Sequence, residues 1–541
     1  MKCREVQIRE MQFTVQRDLV AKNGRVSPWA SLKRGTRGCL HQLLAFGLVF
    51  VASAPAVAGP AGVSNADLST AERDSAPFNF DVVRNGDSAR TAQTSQVETR
   101  EAVVVGGGLA GLAATRDLLR AGTDVMLFEG SQRFGGRVMT VDDPFGLGLR
   151  INAGAELVDS THTEIRALAR ELGVLIVDRP VASIENRVDQ AGRWVGESDF
   201  LRNLSAQDSR ALEALSKWRA SEDVSLAAKL RSVRASVALY EYVARAMESE
   251  WGRTPEQLNR QVFFDTFDVR REDDARGRST WRIELLPHND EKSFFSRGSE
   301  SLVEALVDKI PAGQRALGWR LKSVEELPEP REPGRRYQLA LENERGQQRV
   351  VQTAKLLLAM PEASLREVEF RVPGISRQVT QANAQWAQNS KIVLYFSARD
   401  WSPFAGLARD PRGGLAFQMW DSSLDARGPG AAITLYTGQL ASRTQVESAV
   451  QHALNLLRSR GEGAHYVGYA THEWTRSYPG ADRPGPRREA SRVRRHGEIY
   501  FAGDAWSEEH KGYMNGAVEA GRARALEILL TSGKQCAVMF R

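Results

Sequence analysis

Cysteine is nearly absent from this chain: three in 541 residues, Cys3, Cys39 and Cys536. The first two fall in a segment expected to be removed. That leaves one thiol and excludes an internal disulfide, which a chain with a core of this size does not need. The eight histidines (His41, His162, His288, His452, His465, His472, His496 and His510) show no metal-ligand spacing, and His472-Glu473 lacks the second histidine of a zinc helix. An excess of one charge is missing as well. Residues 1–58 hold nine Lys/Arg and three acids, so they carry the whole formal net charge of +6 and the remainder balances at zero. Nucleic acid is therefore not implied as a partner. Internal repeats, coiled-coil heptads and low-complexity tracts are lacking too.

The basic segment has its own reading. "LKRGTRG" (32–38) precedes "LLAFGLVFVASAPAVA" (43–58), an apolar run short of the roughly 20 residues of a membrane span. It closes on Ala56-Val57-Ala58, a small-residue cleavage pattern. Together these predict a signal peptide over 1–58 and an exported, periplasmic or secreted protein. Lys33-Arg34 stands one substitution from a twin-arginine signal, the route for already folded proteins. Residues 59–97 are polar and rich in small residues, as in a linker.

What is present begins at residue 101. "EAVVVGGGLAGLAATRDLLRAGTDVMLFEG" (101–130) reads as strand, glycine turn, helix, strand. Gly106, Gly108 and Gly111 make G-x-G-x-x-G directly after a strand and at the opening of a helix. The first allows the tight turn, the second lets the backbone approach a pyrophosphate, and the third lets helix and strand pack closely. Glu129 ends the next strand about twenty residues on, where a ribose-binding acid belongs. A second loop, Gly135-Gly136-Arg137, adds a guanidinium suited to the same pyrophosphate. No second G-x-G-x-x-G exists, which disfavours a reductase fed by bound NAD(P)H. Between about 176 and 295 the pattern is helical. Residues 315–360, "SKIVLYF" (390–396) and "AAITLYTG" (431–438) read as strands. Near the end, "IYFAGDAWSEEHKGYMNGAVEAGRA" (499–523) reads as a strand, a turn at Gly503 beside Asp504, and a helix rich in small residues.

These pieces, with "INAGAELVDSTHTEIRALARELGV", "KLLLAMPEASL" and Trp474, resemble the flavin-containing amine oxidase superfamily over roughly residues 100–530. The superfamily spans monoamine and polyamine oxidases, L-amino-acid oxidases and related desaturases. The resemblance implies an α/β fold: a Rossmann-like FAD-binding domain of the GR2 type, with a mixed α+β substrate-binding domain inserted discontinuously. The expected division is 98–175, 296–370 and 470–532 for FAD, 176–295 and 371–469 for substrate, and 533–541 as a tail. It implies noncovalent FAD, because the cysteine that links flavin in monoamine oxidases has no counterpart here. The implied FAD contacts are Gly106, Gly108, Leu109, Ala110, Gly111, Glu129, Gly130, Gly136, Arg137, Gly154, Ala155, Glu156, Gly503, Asp504, Tyr513, Met514 and Ala517. Asp504 would bond the ribityl chain, and the late helix would aim its N-terminus at the flavin ring.

Lys391, in the family strand K-[IV]-x-L-x-F, would reach a water beside flavin N5. Tyr513 would stand on the substrate side of the ring. A second aromatic is expected after Trp474, from Trp474 itself or Tyr478. His510 and Arg476 are expected at the surface. The implied reaction is oxidation of an amine or amino acid by hydride transfer to flavin N5. The imine then hydrolyses, and oxygen or another acceptor reoxidises the flavin. The alternatives are a desaturase of an isoprenoid or porphyrinogen, or a flavin-binding protein without turnover. A homodimer is the expected assembly, and no metal is expected.

Overall fold

The computed structural model describes residues 97–179, 184–273, 279–285, 290–328, 335–375, 386–423, 428–477 and 493–534. The expected signal peptide, the expected linker up to residue 96, the three cysteines, His288 and Tyr478 lie outside these residues.

A nine-stranded sheet holds the largest core. Its centre is parallel: Arg315–Ala316, Val125–Phe128, Glu98–Val105 and Gln348–Leu358 lie side by side. The long strand Gln348–Leu358 then splits its far edge. Its first half pairs antiparallel with Tyr337–Glu342, and its second half pairs parallel with Ile499–Phe501. The continuous apolar runs "AVVV" and "VMLF" are buried throughout, as strands covered on both faces must be. Helix Leu109–Arg120 and the late helix Met514–Thr531 pack together on this sheet. They approach so closely that a Cβ on Gly521 would stand 2.2 Å from the Ala110 carbonyl oxygen.

A seven-stranded sheet runs in the order Tyr466–Trp474, Asn389–Phe396, Ala431–Thr437, Ala416–Asp421, Phe404–Arg409, Glu185–Gln190, Arg193–Gly196. Alternation along Asn389–Phe396 assigns its two faces. Ile392, Leu394 and Phe396 pack with helix Arg443–Arg458, while Val393 and Tyr395 pack on Leu149 and Ile151. Lys391 shares the second face.

Helices do fill most of 197–266, around Trp218, Tyr242 and Phe263. The expectation of helix throughout 176–295 fails at both ends. Residues 185–196 form a hairpin that completes the seven-stranded sheet. The charged stretch from 268 belongs to a ribbon, Phe267–Asp273 against Ser279–Leu285. Cross-strand pairs such as Arg282 with Glu272, 2.8 Å apart, stabilise it without an apolar alternation to announce it.

Candidate active site

In a parallel sheet of this kind, ligands bind beyond the carboxyl ends of the strands. Here Phe128, Val105, Leu358 and Phe501 stand in register across four neighbouring strands. The residues that follow them are Glu129, Gly106, Ala359 and Ala502, with Gly503 and Asp504 immediately beyond. Glu129 and residue 502 are thus three strand spacings apart, about 14 Å. Segments nearly 400 residues apart in sequence therefore face one edge, across a span that a single dinucleotide covers.

The glycine loop is cut to fit a ligand. A Cβ on Gly106 would meet the Ala359 carbonyl oxygen at 2.3 Å, and one on Gly111 would meet the Gly106 oxygen at 1.8 Å. Both positions are closed by protein backbone. Gly108 differs: a Cβ there meets no atom within 4 Å, and the residue is the N-cap of helix Leu109–Arg120, without a side-chain cap. The first amide groups of that helix, from Leu109 onward, have no partner inside the helix. An open pocket beside unpaired N–H groups at a helix N-terminus suits an anionic pyrophosphate. Glu129 accepts from the Gly107 amide at 2.6 Å and the Ser131 amide at 2.8 Å, which fixes the carboxylate at the mouth of the loop. Gly130 packs on Arg320, and Leu109 and Ala110 are buried beneath the loop.

The second loop runs alongside. The Gly135 amide donates to the Gly107 carbonyl at 2.8 Å, and Gly136 has room for a Cβ only 3.4 Å from the Gly108 Cα. Arg137 makes a two-pronged contact with Asp504, Nη1 to Oδ2 at 2.9 Å and Nη2 to Oδ1 at 2.5 Å. Asp504 is 4% exposed. The guanidinium expected on a pyrophosphate and the carboxylate expected on a ribityl chain thus engage each other. Gly154 has no room for a side chain. A Cβ there would stand 2.1 Å from the Arg137 carbonyl oxygen, to which Ala155 donates its amide at 3.1 Å.

Lys391 is buried. It donates to Glu156 Oε2 at 2.6 Å and to the Asn152 carbonyl at 2.8 Å. Trp420 donates to the other Glu156 oxygen at 3.3 Å. Strand register places His472, Lys391, Tyr436 and Gln418 in one row on one face. Burial and the nearby Lys391 charge push the His472 imidazole pKa down.

The late helix begins at Met514, with Tyr513 as its N-cap. Gly516 lets this helix lie on the preceding loop, since a Cβ would stand 2.1 Å from the His510 carbonyl oxygen. Met514 is buried and Ala517 partly so. The Tyr513 ring packs 5.2 Å from His162, which in turn packs 5.3 Å from His510. His510 is thus no surface histidine; its side chain is 18% exposed because the loop folds back on the helix. His162 was not singled out from the sequence, although its place before helix Thr163–Glu171 was a usable signal. Burial, then the His510 and Arg166 charges, lower its pKa from 6.5 to about 4.

Of the two expected second aromatics, Tyr478 lies outside the described residues. Trp474 is committed to the Ala153 carbonyl at 2.8 Å and to Gly154. Tyr436 is the ring whose ionisation Tyr513 opposes, and burial with Glu250 pushes its phenol well above the usual value. Arg476 is bound to Glu367 and Ser364, 2.8 and 2.7 Å away.

The profile of the family described as flavin containing amine oxidoreductase matches residues 109–529. The chain belongs to this family. AofH of Mycobacterium tuberculosis, provisionally named a flavin-containing monoamine oxidase, is 25% identical over 474 residues, covering 81% of this chain and 98% of AofH. Pig amine oxidase [flavin-containing] B is 23% identical over 477 residues, covering 80% and 87%. The structure of cyclohexylamine oxidase from Brevibacterium oxydans shares the fold, with a TM-score of 0.60 over 80% of this chain and 99% of that one, at 18% identity. The protein is an FAD-dependent oxidoreductase of the amine oxidase type. The open Gly108 cradle, the uncapped helix start and the strand-end row of Glu129, Gly106 and Asp504 fit its cofactor.

Proposed function

We propose that this protein is an exported amine oxidase. It would bind a primary or secondary amine between Tyr436 and Tyr513, and release an imine that hydrolyses to a carbonyl compound, with oxygen as the final electron acceptor. FAD bound at the strand ends supplies the hydride acceptor. The two phenols and the Trp420 indole orient the amine and shed water from it. The paired ammonium of Lys391 places a cation on the same face, where a charge developing on the acceptor side is stabilised. The domain division expected from the sequence assigns the helices of 197–266 and most strands of the seven-stranded sheet to substrate, with the boundary at 469/470 falling inside its strand Tyr466–Trp474.

One observation carries the choice of amine over amino acid. Four cations in this part of the molecule each have a carboxylate beside them. Lys391 meets Glu156, Arg137 meets Asp504, Arg476 meets Glu367, and Arg179 lies 3.9 Å from Glu291. A substrate carboxylate would face Glu250 and Glu291 without a free guanidinium, at a cost of several kcal/mol.

The test is an anaerobic screen of the purified protein, following bleaching of the flavin spectrum by amines, L-amino acids, polyenes and porphyrinogens. Bleaching by amines alone supports the reading; bleaching by a polyene or porphyrinogen and by no amine overturns it. Denaturation should release free FAD into the supernatant. Export is checked by fractionating cells and sequencing the mature N-terminus, expected after Ala58. Light scattering in solution tests the homodimer.

A further inference from the structure

We propose that Glu156 sets the charge that bound FAD meets at Lys391. Its carboxylate aims the ammonium and cancels much of its field, which holds the flavin's reduction potential below the value the lysine alone would give. Glu156 is thus a positioning residue that acts through Lys391. This rests on the FAD site and on the proposed role of Lys391, whatever the substrate.

Residues 152–156 are fastened one after another. Lys391 Nζ donates to the Asn152 carbonyl at 2.8 Å, and Trp474 Nε1 donates to the Ala153 carbonyl at 2.8 Å. Gly154 lies against the Arg137 carbonyl, which also accepts the Ala155 amide at 3.1 Å. Glu156 then turns back to Lys391, whose Nζ donates to Oε2 at 2.6 Å, while Oε1 accepts from the Trp420 indole at 3.3 Å. Lys391 therefore grips both ends of a segment whose middle rests on the loop of Arg137. The Arg137 side chain meets Asp504 in the strand-end row that fits the cofactor. Glu156 is one residue step, about 3.8 Å, from the alanine bonded to that loop.

An ammonium has three N–H donors. Glu156 and Asn152 take two of them, and the third has no oxygen or nitrogen acceptor among the described residues. The two bonds fix the direction of the third. Both partners of the pair are buried, Lys391 at 5% exposed and the Glu156 side chain at 9%. Burial of such a pair brings little stability, because neutral side chains of the same shape usually serve as well. Its effect on a charge that forms nearby is larger. A hydride reaching bound FAD brings one negative charge, which a lone ammonium would attract and a carboxylate 2.6 Å from that ammonium repels.

Glu156→Gln separates charge from position. The amide oxygen still accepts from Lys391, and the negative charge is gone. At roughly 10 Å and an effective dielectric constant of about 20, losing one unit charge favours the reduced cofactor by about tenfold.

The experiment measures the midpoint potential of the flavin in each holoenzyme, by equilibration with a reference dye during slow reduction by xanthine and xanthine oxidase. No amine is needed. In Glu156→Gln the ratio of reduced to oxidised flavin at a fixed potential should rise about tenfold, an upward shift of about 30 mV. Glu156→Asp keeps the charge and should stay within about threefold of wild type. Lys391→Met with Glu156→Gln is neutral again and should also return to within about threefold. A purely structural role does not produce this order. A ratio in Glu156→Gln that matches wild type, or a rise that survives in the double variant, overturns the inference. Should Glu156→Gln not hold FAD, Lys391→Met is measured at about pH 9.5, above the range where buried unpaired carboxyl groups titrate. There the ratio should fall about tenfold, and no fall overturns the inference equally. Unchanged potentials with amines still bleaching the flavin leave the amine oxidase reading standing. The expected order of potentials, with no amine oxidised, does the reverse.

Discussion

Gly108→Ala adds one methyl group where the folded polypeptide has room for it and the proposed ligand does not. The backbone at Gly108 has φ −76° and ψ −178°, an extended geometry that alanine adopts without strain, and the new Cβ meets nothing within 4 Å. Alanine is a poorer N-cap than glycine, but it also restricts the unfolded chain, and the two effects oppose each other. The apo-protein should therefore keep its stability within about 0.5 kcal/mol. With FAD the balance changes. A methyl group against the pyrophosphate should cost about 1–3 kcal/mol in crowding, and displacing one charge-assisted amide bond about 1.5–3 kcal/mol more. The sum, about 2.5–6 kcal/mol, weakens FAD binding between about seventyfold and about twenty-five thousandfold. Deflavinated wild type and variant would be titrated with FAD, following quenching of flavin fluorescence, and the apo-proteins melted side by side. Gly111→Ala is the contrasting control, since its Cβ meets backbone oxygen at 1.8 Å and should damage the fold itself. Wild-type FAD affinity in Gly108→Ala, or an apo-protein that melts far below wild type, would refute the reasoning.

Three further outcomes can be checked. Lys391→Met should slow anaerobic flavin reduction while FAD stays bound. It should also cost about 3–5 kcal/mol in urea unfolding, because Glu156 is left buried and unpaired; Lys391→Met with Glu156→Gln should recover most of that stability but not the rate. His162 is 2% exposed and its folded pKa, about 4, lies below the ordinary 6.5. The unfolded chain therefore binds the proton first as pH falls, so stability present above pH 6.5 is lost progressively towards pH 4. Between pH 7 and 4.5 this should remove on the order of 2–3 kcal/mol, and His162→Gln should flatten that part of the urea-midpoint profile; an identical profile refutes the assignment. Asp504→Ala should leave Arg137 without its two-pronged partner and lower FAD affinity at least tenfold by the same fluorescence titration.

The fold near residues 101–130 was legible because its signals are local. A glycine that must turn, an apolar run buried on both faces and an acid at a strand end each depend on neighbours within a few residues. The helix from Met514 was legible for the same reason, its small residues marking where another chain segment approaches. The hairpin at 185–196 and the ribbon from Phe267 were not. The hairpin buries charged Arg187 and Asp189 and is held by pairing with distant Phe404–Arg409, while the ribbon pairs two charged strands that lack an apolar alternation. His510 was misplaced by the same limit, because a polar residue in a loop gives no sign that the loop folds back under a helix.

By itself, then, the amino-acid order determined the dinucleotide loop, the ribose acid, the family and the residues that had to matter. Only the tertiary structure decided which of them meet. Arg137 finds Asp504, Lys391 finds Glu156, and the Tyr513 ring packs on His162. These meetings depend on the register of strands and on helix ends brought together from up to hundreds of residues away. A one-residue slip would turn Lys391 and Tyr436 to the opposite face of their sheet, and no local pattern records that choice.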